Sequence, residues 1–175
     1  MGDLFEFDPV DTIGAGAFGR PGERVFLIQA RKGEAVLSVL VEKEQIALLA
    51  AEASQFLDRL AQEFPEDAMP PMLAPGTGIV AEAEPLFRAR LIGLGFDPDR
   101  GLVLLELRED APEEEEETPP EPDETEGRIA RLYATREQLR AMVENGAHAV
   151  ASGRPRCPLC DFPMDPDGHI CPRWN

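Results

Sequence analysis

Cysteine, tryptophan, tyrosine and histidine are all scarce in this chain: three, one, one and two among 175 residues. Three cysteines crowded between positions 157 and 171 cannot make a disulfide framework, so a reducing compartment, the cytoplasm, is expected. Basic residues are short as well, 17 against 34 acidic, for a formal charge of -17. Such a balance argues against non-specific adhesion of the body to nucleic acid or anionic lipid. No apolar run approaches the length of a membrane span. The N-terminus carries neither a basic n-region nor an apolar h-region, so no signal peptide is expected. Nucleophile, histidine and carboxylate never fall into an arrangement that reads as acid/base or covalent catalysis. What is plentiful is ordinary apolar content, 43% of the chain, enough for a real core. The length suits one domain, or one domain plus a small appendage.

The chemistry that can be read lies in the last residues, Cys157-Pro-Leu-Cys160-Asp161 followed by Gly168-His169-Ile170-Cys171-Pro-Arg173-Trp174. A Cys-Pro-x-Cys turn can aim two thiolates at one point, as tetrahedral zinc requires. A second knuckle would repeat it, but Trp174 stands where its second cysteine belongs, and tryptophan cannot ligate zinc. His169 is the substitute, which gives the expected metal ligands Cys157, Cys160, His169 and Cys171; Asp165 or Asp167 stays open as an alternative fourth ligand. Four protein ligands would leave no place for an activated water, so the zinc would be structural. So short and proline-rich a segment has little core, and metal binding would supply its folding energy. The alternatives are an inert reduced tail and, less fittingly, a redox pair.

Upstream, Leu4 to Phe7 reads as a short first strand ended by Asp8-Pro9. Gly14-Ala-Gly16-Ala-Phe-Gly19 formally matches the dinucleotide fingerprint, yet it runs into Arg20-Pro21-Gly22 rather than opening a helix, so it reads as a glycine-rich strand or loop. Val25 to Ala30 and Ala35 to Val41 form a hairpin over Arg31-Lys32-Gly33-Glu34. From Glu44 to Phe64, Ile46, Leu49, Ala50, Ala53, Phe56, Leu57 and Leu60 follow a helical period, which Pro65 stops. Residues 65–78 hold four prolines and read as a stiff connector. Phe87 to Phe96 and Leu102 to Arg108 flank a second hairpin turn, with a bulge or close approach at Gly93 and Gly95 and an outer face bearing Arg88 and Arg90. Arg128 to Ala134 reads as a strand. Thr135 with Gln138 then forms a capping box for a second helix, whose inward stripe is Leu139, Met142, Val143, Ala147 and Val150 and which Gly153 can close.

Between those strands, Glu109 to Glu126 holds eleven acidic residues, four prolines and no base. It reads as a disordered insertion, either a solubilising linker or an electrostatic bait for a basic partner. Placing Glu44-Gln45-Ile46 over Glu137-Gln138-Leu139 also brings Val36 over Ile129, Val39 over Leu132 and Ala53 over Gly146. That alignment reads either as an internal β-β-α repeat or as the shared grammar of any strand-to-helix transition. The fold class is thus α+β: an antiparallel sheet with two amphipathic helices in a body of residues 1–153, plus a zinc-ribbon-like tail of residues 154–175. The groove between the two halves is then the first place to look for a ligand.

The run Gly153-Arg-Pro-Arg-Cys157-Pro-Leu-Cys160 with Met164-Asp-Pro-Asp-Gly-His169-Ile-Cys171-Pro-Arg resembles the C-terminal signature of an uncharacterised bacterial family, mainly actinobacterial and known only as a domain of unknown function. Phe7-Asp8-Pro9, Phe18-Gly19-Arg20-Pro21-Gly22 and Leu40-Val41-Glu42-Lys43-Glu44-Gln45 resemble its earlier parts. The resemblance implies a small cytoplasmic protein, often encoded near phosphatase-like and kinase-like proteins, and brings no established activity or catalytic residue. The leading expectation is a non-enzymatic zinc-binding adaptor that contacts a protein partner, with Trp174 either an exposed anchor or a cover for the metal. Nucleic-acid binding through Arg154, Arg156 and Arg173 is the second expectation, which the acidity of the chain opposes. An enzyme acting on a phosphorylated small molecule is the third, suggested by that gene company alone.

Overall fold

The computed structural model describes residues 2–20, 22–65, 83–109, 127–165 and 167–174. The acidic run beyond Glu109 and the proline-rich connector beyond Pro65 lie outside them. In chain order the elements are β1 (Leu4–Phe7), β2 (Thr12–Phe18), β3 (Val25–Lys32), β4 (Ala35–Val41), α1 (Lys43–Glu63), β5 (Phe87–Arg88), β6 (Leu91–Asp97), β7 (Leu102–Arg108), β8 (Ile129–Ala134) and α2 (Arg136–Ala151). The fold is α+β, but the expectation of one antiparallel sheet is corrected. There are two mixed sheets of four strands each, ordered β1-β8-β7-β6 and β2-β3-β4-β5.

The expected strand from Phe87 to Phe96 is divided between these sheets. The Ala89 N–H donates to the Leu40 carbonyl at 2.8 Å, whereas the next N–H, of Arg90, donates to the Arg108 carbonyl at 2.7 Å. The chain therefore changes sheets between the two residues, and Arg88 and Arg90 do not share one strand face. Gly93 and Gly95 make no bulge, since β6 stays in continuous register with β7 from Leu91–Arg108 to Asp97–Leu102.

The two sheets are built the same way. Each has a three-stranded antiparallel meander leading into a helix, and each is completed by a short parallel strand from the other half of the chain. β1 pairs with β8, and β5 pairs with β4. Phe7 lies opposite Leu132 and Phe87 opposite Val39, the same two positions that the helix alignment superimposes. Cross-strand rows agree as well: Ile13, Ala30 and Leu37 in one sheet match Ile92, Leu107 and Ala130 in the other. A sequence signal for this was present in Ile13-Gly-Ala-Gly16 and Ile92-Gly-Leu-Gly95, where Gly14 and Gly16 correspond to Gly93 and Gly95.

Both helix starts repeat the device too. The Thr135 N–H donates to the Gln138 side chain at 2.9 Å, and the Gln138 N–H donates back to the Thr135 hydroxyl at 3.1 Å. The Glu42 N–H likewise donates to the Gln45 side chain at 2.8 Å. Each glutamine amide then reaches into the other half: Gln45 to the Ala89 carbonyl at 3.2 Å and Gln138 to the Asp11 carbonyl at 3.1 Å. One side chain thus caps a helix and ties down the crossover.

The core fills the space enclosed by sheets and helices. Val103, Leu105, Leu107, Leu132, Leu139 and Met142 are all at most 1% exposed, and each contributes roughly 1.5–3 kcal/mol by burial. Along α1 the buried stripe is Ile46, Leu49, Ala53, Leu57 and Leu60, as its period predicts. Along α2 it is Leu139, Met142, Val143 and Gly146. Ala147 is exposed, so the expected stripe is corrected by one position, because α2 turns Gly146 towards α1 and β2. The helix is closed by Ser152, not Gly153, through its N–H on the His148 carbonyl at 2.9 Å.

At the neck of the acidic run, Arg128 grips Glu109 with Nη2 at 2.6 Å and Nε at 2.8 Å, while the Glu109 N–H donates to the Arg128 carbonyl at 2.9 Å. The side-chain bonds from Arg128 hold the Glu109 carboxyl down at about 2 from an ordinary 4.5. A depressed carboxyl pKa means the contribution is complete above about 4.5, fades as pH falls, and is gone below about 2. Hydrogen-exchange protection at the β7–β8 end, taken relative to the intrinsic rate at each pH, should therefore fall through that acid window, and Glu109→Gln should remove that fall. An unchanged profile in the variant would contradict the clamp.

Candidate metal centre

The tail starts where α2 ends and folds back twice. The first turn is held by the Asp161 N–H on the Cys157 carbonyl at 2.9 Å and by the Cys157 N–H on the Phe162 carbonyl at 2.9 Å. Asp161 adopts a left-handed backbone with φ of 61°, which aspartate tolerates better than most side chains. A reversal at Gly168, φ 126°, brings the chain back, and the Gly168 N–H donates to the Asp165 carbonyl at 3.1 Å. Cys171 then opens a second turn closed by the Trp174 N–H at 3.1 Å.

These turns bring Cys157, Cys160, His169 and Cys171 together, with their ligand atoms all within 4.8 Å of one another. The Cys157 and Cys171 sulfurs are 3.8 Å apart, and Cys160 Sγ lies 3.2 Å from His169 Nε2. A tetrahedron with metal–sulfur bonds of about 2.3 Å has sulfur–sulfur edges of about 3.8 Å, so the cysteine pair already has the separation a metal needs. The donor set, three soft sulfurs and one imidazole, suits zinc among the common divalent ions. These residues could therefore hold a metal ion. Asp165 is not among them: its carboxylate accepts from Arg154 Nη1 at 2.7 Å. Asp167 also stands outside the group.

The turn prepares the first thiolate. Backbone N–H groups of Leu159 and Cys160 point at Cys157 Sγ and pull its pKa down to about 6, whereas burial pushes the Cys160 thiol up. Amides aimed at sulfur stabilise the charged, metal-binding form. All three cysteines are free thiols.

The arginines around the knuckles are engaged at home. Arg154 pairs with Asp165, Arg156 Nη1 donates to Asp161 at 2.9 Å, and Arg173 Nη1 donates to the Leu159 carbonyl at 3.2 Å. Apolar side chains, by contrast, face outward: Ile170 is 95% exposed, Trp174 81%, Phe162 60% and Leu159 50%. Trp174 therefore does not cover the metal centre.

Elsewhere, the glycine-rich fingerprint lies in strand β2 and continues into a turn at Gly19, φ 98°, with no helix after it. It is not a dinucleotide site. His148 is exposed in the last turn of α2. Local sequence reading missed a cavity of about 310 Å³ beside the tail, lined by Arg24, Lys43, Arg88 and Arg154 among others. No local signal could have found it, since those residues come from four separate parts of the chain.

Fold and site together define a two-sheet α+β protein with a Cys3His cluster at its C-terminal end. Residues 5–171 match the family described as "Protein of unknown function (DUF3090)", and the chain belongs to that family. No curated protein and no solved structure matches it. Among the described residues, no helix is long and apolar enough to cross a membrane.

Proposed function

We propose that this protein is a non-enzymatic, zinc-stapled adaptor of the cytoplasm, whose tail contacts a protein partner. The observation that carries the reading is the outward display of Leu159, Phe162, Ile170 and Trp174 around a group of four ligands that closes on itself. Zinc in such a site fixes the two turns and leaves no position for reacting water. Fixed turns hold large apolar side chains in water, which a chain with no core beneath them could not do otherwise. Tryptophan is the residue type that most often anchors an interface. A reducing cytoplasm keeps the thiols available to metal.

Nucleic acid is the weaker reading. The three tail arginines are committed to Asp165, Asp161 and the Leu159 carbonyl, and the whole chain carries -17. A polyanionic backbone would approach those already paired charges against a repulsive field.

The test is affinity purification from the native host with the full-length chain, compared with Trp174→Ala and Ile170→Ser, zinc being quantified in each. The expected result is one stoichiometric zinc throughout and a partner recovered only by the unaltered surface. Identical sets of proteins from all three would overturn the adaptor reading while leaving the metal reading intact.

A further inference from the structure

The cavity beside the tail is cationic on an acidic protein. Arg24, Lys43, Arg88 and Arg154 line it, against a single carboxylate, that of Glu42. A second hollow of about 380 Å³ adjoins it, shares Lys43 and Arg154, and adds Arg156. On a chain with 17 basic and 34 acidic residues, five cations against the two carboxylates of Glu42 and Asp161 make the lining of the two hollows a local reversal of sign.

Each cation is held differently. Arg24 donates to the Ala149 carbonyl at 3.0 Å and the Ser152 carbonyl at 2.7 Å, which fastens the end of α2 to the start of β3 and forms one wall. Arg88 pairs with Glu42, Arg154 with Asp165 and Arg156 with Asp161, each through Nη1. Gly22, φ 99°, leaves room for Arg154: a Cβ there would stand 3.2 Å from its Nε. The Lys43 ammonium makes no hydrogen bond or ion pair among the described residues, although the side chain lines both hollows. Phe26 and Leu40 provide an apolar side to the first hollow.

We infer that this cavity binds the phosphate group of a small phosphorylated ligand. A phosphate dianion has oxygens enough for several cations at once, whereas a lone carboxylate satisfies one or two. The volume is at the small end of ligand sites, so the body that follows the phosphate is of the size of a single ring. That body lies against Phe26 and Leu40. The inference is independent of the adaptor reading and of which metal the tail holds.

The experiment is calorimetric titration of the full-length chain, at low ionic strength, with phenyl phosphate, inorganic phosphate and benzoate. Saturable one-to-one binding of phenyl phosphate is expected, with inorganic phosphate weaker and benzoate weakest. Lys43→Met should weaken phenyl phosphate about tenfold or more, the effect of losing one charge-assisted contact. Lys43→Arg should retain most of the affinity. Arg59→Met makes the same change of charge on an exposed side chain about 24 Å further along α1 and should leave binding unaltered. No saturable binding at millimolar ligand would overturn the inference. So would equal losses in Lys43→Met and Arg59→Met, or benzoate binding as well as phenyl phosphate. A matched melting temperature for Lys43→Met keeps a folding defect from being mistaken for a binding one.

Discussion

Stripping the metal from the zinc-loaded protein is expected to unfold the tail and leave the body standing. The tail buries Cys157 and Cys171, at 5% and 8% exposure, but exposes Leu159, Phe162, Ile170 and Trp174. It therefore has almost no hydrophobic core with which to offset the entropy of two ordered turns. Metal binding by structural zinc sites is worth roughly 10–16 kcal/mol in apparent free energy near neutral pH, far more than the net stability of such a segment. Under a strong chelator, amides of Leu159, Cys160 and Phe162 should lose protection from hydrogen exchange, while Leu105, Leu132 and Leu139 in the core keep theirs. Cys157→Ser should reproduce the effect without chelator. Acid should do so as well, because the ligands bind metal only when deprotonated, and zinc release should be steep in pH as several protons compete. Unchanged protection after complete metal removal would mean the turns fold by themselves and the ion is incidental.

The reach of sequence reading differs sharply between the tail and the body. Cys157, Cys160, His169 and Cys171 could be grouped in advance because fewer than fifteen residues separate the first from the last, and two reversals at Asp161 and Gly168 suffice. Helix α1 and both hairpins were legible for the same reason: their periods and turn residues are local. The division into two sheets was not. It depends on β1 meeting β8 and β4 meeting β5, parallel pairings between segments far apart in the chain. Nothing in Phe87-Arg-Ala-Arg90 marks the point at which the chain leaves one sheet for the other; consecutive amides simply find carbonyls on different strands. The cationic cavity escapes for a stronger form of the same reason. Arg24, Lys43, Arg88 and Arg154 each sit among ordinary surface residues, and only the folded chain makes them neighbours.

Gly146 connects these levels and carries the second large prediction. By helix propensity alone it is a defect, about 1 kcal/mol worse than alanine. Its surroundings reverse the sign. A Cβ at this position would stand 2.9 Å from Ile46 Cγ2 on α1 and 3.3 Å from Ala15 Cβ on β2. The first separation is shorter than real carbon contacts allow, and neither neighbour is the loose end of a long side chain. Small residues therefore face each other where α2 lies close along β2, Ala15 on the strand and Gly146 on the helix. The corresponding strand β6 has Leu94 in place of Ala15 and Phe96 in place of Ala17, and α1 keeps only slight contact with it. Gly146→Ala should consequently destabilise the protein by about 1–3 kcal/mol, the usual cost of overpacking, in spite of the better helix former. In a chain of this length the melting temperature should fall by about 2–4 °C for each kcal/mol. Ile46→Ala removes the obstructing methyl and is itself expected to cost about 2–5 kcal/mol. In that background Gly146→Ala should become neutral or stabilising, with a coupling of about 1 kcal/mol or more across the double-mutant cycle. A rise in melting temperature for Gly146→Ala alone would show that α1, α2 and β2 are not packed this closely.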